Sequence, residues 1–159
     1  MKVENKKIRV ATKEDLPSIQ EIFDGTIRSV CNKDYNEEQV DAWAAGAKFT
    51  DRWLQKLTDQ YFIVMENDGQ IVGFASLDQG NYLDFMYVHK NHQGEGIASL
   101  LFYAIEKEAA RQASDFIISD VSKTAKPFFE RMGFENIKEQ TVIIAGVPIN
   151  NFRMRKDLH

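Results

Sequence analysis

The sequence predicts an α+β domain with a mostly antiparallel sheet of about seven strands, and three observations support this. The turn signals Asp68-Gly69 and Gly80-Asn81 separate three consecutive strand-like runs, as in antiparallel hairpins. Segments with helical spacing precede and follow these runs. The length of 159 residues suits one compact domain, so we expect residues 1–159 to form a single domain.

The first half of the chain predicts one strand and then helices. A weakly alternating run at 6–12 predicts the strand, and 13–27 has helical spacing. Asn36 can cap a second helix over 37–46, and a short third helix is expected over 51–57.

The second half predicts six strands and two helices. Runs rich in β-branched and aromatic residues predict the strands, whereas apolar spacing from Ile97 and a stop at Gly133 predict the helices. The strands are expected over 61–67, 70–78, 82–89, 115–121, 134–144 and 147–158, and the helices over 97–109 and 123–132.

The composition disfavours several classes of protein. Hydrophobic residues make up 43% of the chain and charged residues 28%, which is typical of globular proteins. No apolar run could serve as a signal peptide or membrane span, which predicts a cytoplasmic protein without a membrane partner. The net charge of -4 disfavours nucleic acid as a partner. A monomer and a homodimer are both compatible with the sequence.

Cysteine and histidine are too few to predict a disulfide, a covalent intermediate or a metal site. Cys31 stands alone, and without a His partner it is more typical of a small buried hydrophobe than of a nucleophile. His89 and His92 have no third or fourth ligand nearby. We therefore expect no metal.

The stretch HQGEGIAS, residues 92–99, places two glycines before a helix. It is not a P-loop, because no Lys follows Gly96, and Ser99 replaces the third glycine of a Rossmann turn. A third interpretation is an anion site at a helix N-terminus, and a turn that only redirects the chain is equally open. The groups that would face a pyrophosphate are the amides of Gly94, Glu95, Gly96, Ile97, Ala98 and Ser99.

Two motifs carry a resemblance to a known family. Gln93, Gly96 and Ala98 match the pattern Gln/Arg-x-x-Gly-x-Gly/Ala, and AKPFFERMGF at 125–134 nearly matches Ala-x-x-Phe-Tyr-Glu-x-x-Gly-Phe. With the order of elements, they make the chain similar to the GNAT superfamily of acetyl-CoA-dependent N-acetyltransferases. The resemblance implies a three-layer α/β arrangement, in which helices cover both faces of a mixed sheet that splays between its fourth and fifth strands. It also implies acetyl-CoA as the acetyl donor and CoA as a product.

The resemblance implies a path for the cofactor. Backbone groups of Met86, Tyr87 and Val88 would pair with the pantetheine arm, and an amide near Met86 or Tyr87 would polarise the thioester carbonyl. From the residues alone, an uninterrupted strand is the alternative. Lys123 and Lys126 could meet the 3′-phosphate, although exposed helix lysines are usually less specific.

An amine acceptor must lose a proton before it can attack, and Asp84 is the leading candidate for the base. Strand alternation would place it on one face with Tyr82 and Met86, among apolar neighbours that favour basicity. An ion pair or a turn-stabilising contact at Asp84 is an equally weighted alternative. Asp120 is the second candidate and Glu38 the third.

Phe129 and Ser122 depart from the family pattern. Many members have Tyr at the position of Phe129, where its hydroxyl protonates the departing thiolate. Ser122 stands where the family often has an Asn that contacts the cofactor. We place both residues beside the cofactor and expect protonation of the thiolate to be weakened or routed through water.

The acceptor site is expected between the N-terminal helices and the fourth strand. Tyr35, Gln39 and Trp43 could form a wall there, with Tyr82 and Asp84 opposite, although aromatic residues at this spacing also occur in cores. The stretch is similar to a small bacterial subgroup of the family, which suggests a small-molecule acceptor. The leading hypothesis is direct acetyl transfer to a primary amine in a ternary complex. The alternatives are a non-catalytic CoA-binding or sensing module and a protein or peptide acetyltransferase.

Overall fold

The computed structural model describes residues 5–158 and contains one seven-stranded sheet flanked by five α-helices. The strands are β1 (Lys6–Val10), β2 (Tyr61–Asn67), β3 (Gln70–Asp78), β4 (Tyr82–Val88), β5 (Phe116–Ser122), β6 (Glu135–Ile144) and β7 (Val147–Asp157). The helices are α1 (Leu16–Val30), α2 (Glu37–Ala44), α3 (Thr50–Asp59), α4 (Ile97–Arg111) and α5 (Lys126–Arg131). Within these residues, no helix has both the length and the apolar character needed to cross a bilayer.

The sheet has the order β1-β2-β3-β4-β5-β7-β6, and its neighbours are antiparallel except for β4 and β5. These two strands run parallel and share only the pair Tyr82↔Ile118, beyond which they separate. The predicted mixed, mostly antiparallel sheet is therefore confirmed, and so is its splay.

Two hydrophobic clusters lie on opposite faces of the sheet, which confirms the three-layer arrangement. On one face α4 packs through Leu101 and Ile105, and on the other α1 packs through Ile19 and Phe23. Gly73 of β3 allows α4 to lie close, because a Cβ there would stand 3.1 Å from side-chain atoms of α4.

Local signals set most element boundaries. The predicted Asn36 cap is confirmed, since its side chain accepts a hydrogen bond of 2.8 Å from the Gln39 amide. Helix α5 is shorter than expected and begins at Lys126, because the chain first turns: the Ala125 amide donates to Ser122 Oγ at 3.1 Å. Helix α3 is longer than expected and continues to Asp59.

Candidate active site

The glycine loop runs from the end of β4 to the start of α4. Gln93 Nε2 donates to the Val88 carbonyl at 2.7 Å and ties the loop to the strand. Gly94 and Gly96 have φ values of +74° and +80°, a region that side chains rarely adopt. A Cβ at Gly96 would meet no atom within 4 Å, so the backbone conformation, not a lack of space, requires glycine there.

The amides of this loop are available to a ligand. In the part of the chain that the structure describes, the N–H groups of residues 94–99 donate no hydrogen bond to another residue. They lie at the N-terminus of the 15-residue helix α4, where the helix dipole favours an anion. The arrangement can bind phosphate oxygens without a basic side chain.

The edge of β4 that faces the splay presents backbone groups of Met86. The His89 amide donates to the Val72 carbonyl at 2.8 Å, so alternate residues toward the N-terminus, including Tyr87, also pair with β3. The backbone N–H and C=O groups of Met86 and Val88 point instead into the gap between β4 and β5. The Val88 carbonyl already accepts hydrogen bonds from Thr26 and Gln93, so the groups left open at this edge are the Met86 amide and carbonyl and the Val88 amide. The expectation that the Tyr87 backbone would face the cofactor is therefore wrong.

Two clefts meet at the splay. The larger, of about 590 Å³, lies on the side of the glycine loop, and the smaller, of about 270 Å³, lies beneath α1 and α2. Both are lined by Trp43, Asp84, Tyr87, Asp120 and Ser122, so the two clefts adjoin at the splay.

The larger cleft collects almost all the residues predicted to bind the cofactor. Glu95 is the exception, since its side chain pairs with His92 Nδ1 at 3.2 Å and it does not line the cleft. The predicted residues that line the cleft are Met86, Tyr87, Val88, Gln93, Gly94, Gly96, Ile97, Ala98, Ser99, Ser122 and Phe129.

A β-bulge at Asp84 changes the predicted face of this residue. Leu83 pairs with Leu77 and Phe85 with Ser76, so Asp84 is an extra residue without a partner on β3. Regular alternation is broken there: Met86 packs on the side of α4, whereas Asp84 lines the smaller cleft with Tyr82. The shared face of Asp84 and Tyr82 is confirmed, and the shared face with Met86 is wrong.

Asp84 has polar neighbours instead of the expected apolar ones. Lys56 Nζ lies 2.6 Å and Gln60 Nε2 lies 2.8 Å from the same carboxylate oxygen, Oδ2. The ion pair that we held as an alternative is therefore present. No described residue donates a hydrogen bond to the other carboxylate oxygen, Oδ1.

Asp120 lies across the splay and has both oxygens occupied. Arg153 and Gln140 donate to Oδ1 at 2.9 and 2.8 Å, and Tyr82 and Arg153 donate to Oδ2 at 3.0 and 3.1 Å. Burial alone would raise the pKa of Asp120, but the hydrogen bonds from these partners outweigh it and lower the pKa. Burial and the neighbouring carboxylates raise the pKa of Tyr82 above its usual value. This network stabilises a charged carboxylate.

Phe129 and Ser122 both line the larger cleft, with structural contacts as well. The Phe129 side chain is only 3% exposed and packs edge-on against the rings of Phe128 and Phe134, at centroid distances of 5.6 and 5.0 Å. Ser122 Oγ accepts the Ala125 amide in the turn before α5. The Phe129 ring has no hydroxyl, so it cannot supply the proton donor that many family members have as Tyr.

The residues predicted to contact the acceptor divide into two groups. Trp43, Tyr82 and Asp84 line the smaller cleft. The Tyr35 ring also lines it, but its hydroxyl donates to the Asn150 carbonyl at 2.6 Å and accepts the Lys123 amide at 2.9 Å. Gln39 lies outside both clefts, because its side chain completes the α2 cap and donates to the Pro148 carbonyl at 3.1 Å.

Several residues of the smaller cleft carried no sequence signal for a site. Phe23 and Phe85 look like ordinary core residues, and the β6–β7 hairpin has no motif. The hairpin contributes Val142, Ile144, Ile149 and Asn151. The third candidate base, Glu38, lies in neither cleft.

The two lysines considered for the 3′-phosphate lie over aromatic rings, and the single cysteine is buried. Lys123 Nζ lies 5.3 Å from the centre of the Tyr35 ring, and Lys126 Nζ lies 4.5 Å from that of Phe152. Burial raises the pKa of the Cys31 thiol to about 11, as expected for a buried structural cysteine. Among residues 5–158, no group of three or more His, Cys, Asp or Glu side chains could hold a metal ion.

Comparison with known proteins finds close likenesses over nearly the whole chain. Residues 31–158 match the family model of the acetyltransferase (GNAT) domain. The uncharacterized N-acetyltransferase YafP of Escherichia coli strain K12 is 33% identical over 151 residues, which cover 95% of each chain. A GCN5-related N-acetyltransferase structure from Rhodopseudomonas palustris has a TM-score of 0.94 at 30% identity, covering 99% of this chain and 98% of that one. The PaiA N-acetyltransferase of Thermoplasma acidophilum, solved with coenzyme A, has a TM-score of 0.82 at 18% identity over 96% and 99% of the two chains, and this likeness concerns the fold.

Proposed function

The chain belongs to the GNAT family of acetyltransferases, and from that premise we propose that it transfers acetyl from acetyl-CoA to the primary amine of a small molecule. Attack is direct, within a ternary complex. The observation that carries the proposal is that the glycine-loop cleft and the aromatic cleft adjoin at the splay, where they share Asp84 and four other lining residues. A thioester on one side can meet an amine on the other.

The cofactor binds through backbone groups. The amides of residues 94–99 take the pyrophosphate at the start of α4, and the pantetheine arm runs along the open edge of β4. The Met86 amide donates to the thioester carbonyl and stabilises the oxyanion that forms as the amine attacks. The coenzyme A bound by PaiA, a protein of the same fold, is consistent with this use of the fold.

Direct attack is favoured because residues 5–158 place no activated nucleophile in the two clefts. A thiol with a pKa of about 11 is almost entirely protonated at neutral pH, so Cys31 is unsuited to form an acetyl-enzyme. The nitrogen of the acceptor therefore forms the new bond itself, and the bond between the carbonyl carbon and the CoA sulfur breaks.

Asp84 is the proposed base, and the contacts of the two carboxylates favour it over Asp120. Asp84 Oδ1 is open, while Lys56 and Gln60 hold Oδ2 and orient the carboxylate. Asp120 has donors on both oxygens and a lowered pKa. The proton of the attacking amine passes to Asp84 Oδ1, directly or through one water.

The smaller cleft favours a compact acceptor. Its volume of about 270 Å³ lies below the usual range for drug-sized ligands, which begins at roughly 300 Å³. Its two carboxylates are neutralised by Lys56 and Arg153, so it has no acidic wall for a polyamine or basic peptide. Aromatic and aliphatic side chains form most of the remaining surface.

Phe129 supports one second candidate, a non-catalytic CoA-binding module. With Phe in place of the usual Tyr, position 129 cannot protonate the CoA thiolate. A thiol with a pKa of about 8.5 tolerates this, so the substitution is compatible with turnover.

The test is release of CoA thiol from acetyl-CoA with a panel of primary amines, alongside calorimetric titration with acetyl-CoA. We expect amine-dependent thiol release that increases with the concentration of a small apolar amine and is weak with spermidine or a lysine peptide. Tight binding of acetyl-CoA without amine-dependent release would instead support the binding module. A lack of acetyl-CoA binding would overturn both functions.

A further inference from the structure

The hydroxyl groups that line the larger cleft differ in how their protons are used. Three of them donate to protein oxygens at 2.7–2.8 Å, and these are Thr26, Ser119 and Thr124. The hydroxyls of Tyr87, Ser99 and Ser122 donate to no described residue. Ser99 lies in the first turn of α4, beside the loop that we propose binds the pyrophosphate. Two hydroxyls with an unused proton therefore remain where the clefts adjoin, those of Tyr87 and Ser122.

The Tyr87 ring is fixed in place, while its hydroxyl keeps surface in the clefts. Phe23 and Phe74 pack against the ring at centroid distances of 5.0 and 5.4 Å. Tyr87 lines both clefts, and its oxygen is not one of the fully enclosed side-chain oxygens that lack a partner. A group bound where the clefts adjoin can therefore reach the hydroxyl.

Trp43 supports the use of Tyr87 as a proton donor. Burial raises the pKa of Tyr87 well above its usual value, so the hydroxyl keeps its proton at neutral pH. The Trp43 side chain interacts with the Tyr87 hydroxyl and acts against this rise in pKa. An indole N–H can only donate, so it meets the Tyr87 oxygen and leaves the O–H proton free. The same contact stabilises the oxygen when its proton leaves.

Acidity favours Tyr87 over Ser122 as the donor. The Ser122 oxygen already accepts the Ala125 amide at 3.1 Å, in the turn before α5. A phenol has an ordinary pKa of about 10, near the value of about 8.5 for a thiol, whereas an aliphatic hydroxyl is a far weaker acid. Since general acid catalysis follows Brønsted behaviour, the phenol is the more effective donor.

We propose that Tyr87 is the catalytic acid that protonates the departing CoA thiolate, in place of the tyrosine that many family members have at the position of Phe129. The inference rests on the proposed function, because it takes acetyl-CoA as the acetyl donor and Asp84 as the base.

The proton balance involves Asp84 and Tyr87, which both line the two clefts. As the bond between the carbonyl carbon and sulfur breaks, its electron pair stays on sulfur, and the Tyr87 O–H proton passes to the sulfur. The proton that Asp84 has taken from the amine then returns to the Tyr87 oxygen, directly or through water. Because a carboxylic acid is a stronger acid than a thiol, the transfer from Asp84 to sulfur is favourable as a whole. Both residues end in their starting protonation states.

The test compares Tyr87→Phe, Ser122→Ala and the matched control Tyr61→Phe. Tyr61 is also a partly buried tyrosine on a strand, but it lines neither cleft. The single-turnover rate of thiol release is measured with enzyme in excess over acetyl-CoA, using the fastest acceptor among propylamine, benzylamine and phenethylamine. Tyr87→Phe and Ser122→Ala are also each combined with Phe129→Tyr, which puts a hydroxyl where the family has one.

We expect Tyr87→Phe to slow thiol release at least tenfold with an unchanged dissociation constant for acetyl-CoA, and Tyr61→Phe to keep the unmodified rate. Phe129→Tyr should restore most of the rate lost in Tyr87→Phe and change the rate of the unmodified chain much less, because the two hydroxyls serve the same step. A packing defect at Tyr87 would not be rescued by a hydroxyl on a different element.

A second measurement is independent of turnover and of the folding of the double variant. The thiol of bound CoA is titrated through the ultraviolet absorbance of its thiolate, in the unmodified chain, Tyr87→Phe and Tyr61→Phe. A hydrogen bond from Tyr87 stabilises the thiolate, so Tyr87→Phe should make the bound thiol a weaker acid by roughly tenfold in its ionisation constant. Tyr61→Phe should leave this constant unchanged.

Three results would overturn the inference: an unchanged rate of thiol release in Tyr87→Phe, rescue by Phe129→Tyr of Ser122→Ala instead of Tyr87→Phe, and unchanged ionisation of bound CoA in Tyr87→Phe. Where Phe129→Tyr gives no rescue at all, the ionisation of bound CoA decides. Normal turnover in Tyr87→Phe would remove Tyr87 as the acid and leave the proposed function standing. If the unmodified chain releases no more thiol with an amine than without one, the proposed function fails, and the inference fails with it.

Discussion

Replacing Gly96 with Ala tests the phosphate-binding role of the loop, and Gly69→Ala is a matched control. Gly96 and Gly69 have φ values of +80° and +81°, and a Cβ at either position meets nothing within 4 Å. The steric cost of holding an alanine at this φ is therefore nearly the same at both sites, about 1–2 kcal/mol for a side chain in the left-handed region. Only Gly96 lines the larger cleft.

The strain has different consequences at the two sites. At Gly69, in the β2–β3 turn, it should lower stability by about 1–2 kcal/mol, or roughly 2–8 °C in melting temperature. The loop at Gly96 is exposed and its amides have no partners, so we expect it to relax to negative φ and to regain its strained shape only when the cofactor binds. A cost of 1–2 kcal/mol on binding raises the dissociation constant by roughly 5- to 30-fold.

The assay is calorimetric titration of each variant with acetyl-CoA, with melting temperatures measured by scanning calorimetry. We expect weaker binding for Gly96→Ala and unchanged binding for Gly69→Ala. Wild-type affinity in Gly96→Ala would refute the idea that this loop binds the pyrophosphate. Equal weakening in both variants would show that the effect is general destabilisation.

Three further predictions concern residues that line the two clefts. Asp84→Asn should reduce kcat at neutral pH by at least tenfold with an unchanged dissociation constant for acetyl-CoA, and normal rates from pH 6 to 9 would remove Asp84 as the base. Phe129→Tyr should fold and should keep or increase turnover, because the ring lines the larger cleft. A large fall in its melting temperature would instead show that the new hydroxyl lies against Phe134. Asp120→Asn should lower the free energy of unfolding at pH 7. Because the pKa of folded Asp120 is lowered, its stabilising effect is present above the unfolded value of about 4 and is lost as the pH falls through the folded value. The difference in the free energy of unfolding between the two proteins, measured in urea titrations, should therefore shrink as the pH is lowered below about 4.

Elements with strong local signals could be predicted from the sequence almost residue by residue. Strand β3 occupies 70–78 as expected, since Asp68-Gly69 and Gly80-Asn81 form turns on either side. The glycine loop is likewise contiguous in sequence. Its motif includes Gln93, which ties the loop to β4, and the two glycines with positive φ.

The acceptor side of the site depended on contacts between distant segments. The bulge at Asp84 follows from the pairing of β4 with β3, and the ion pair comes from Lys56 on α3. Asn151 reaches the cleft because β7, not β6, lies next to β5. No local pattern distinguishes these two strand orders, so the sequence did not indicate that Asn151 would line the cleft.

The sequence by itself determined the family, the element order and the glycine loop, because caps, turns and glycine conformations depend on residues a few positions apart. Only the tertiary structure decided which carboxylate keeps an oxygen without a donor and which hydroxyl lacks an acceptor. Both depend on which strands and helices pack together, since a polar atom is satisfied or left unpaired by groups that the chain brings from far away.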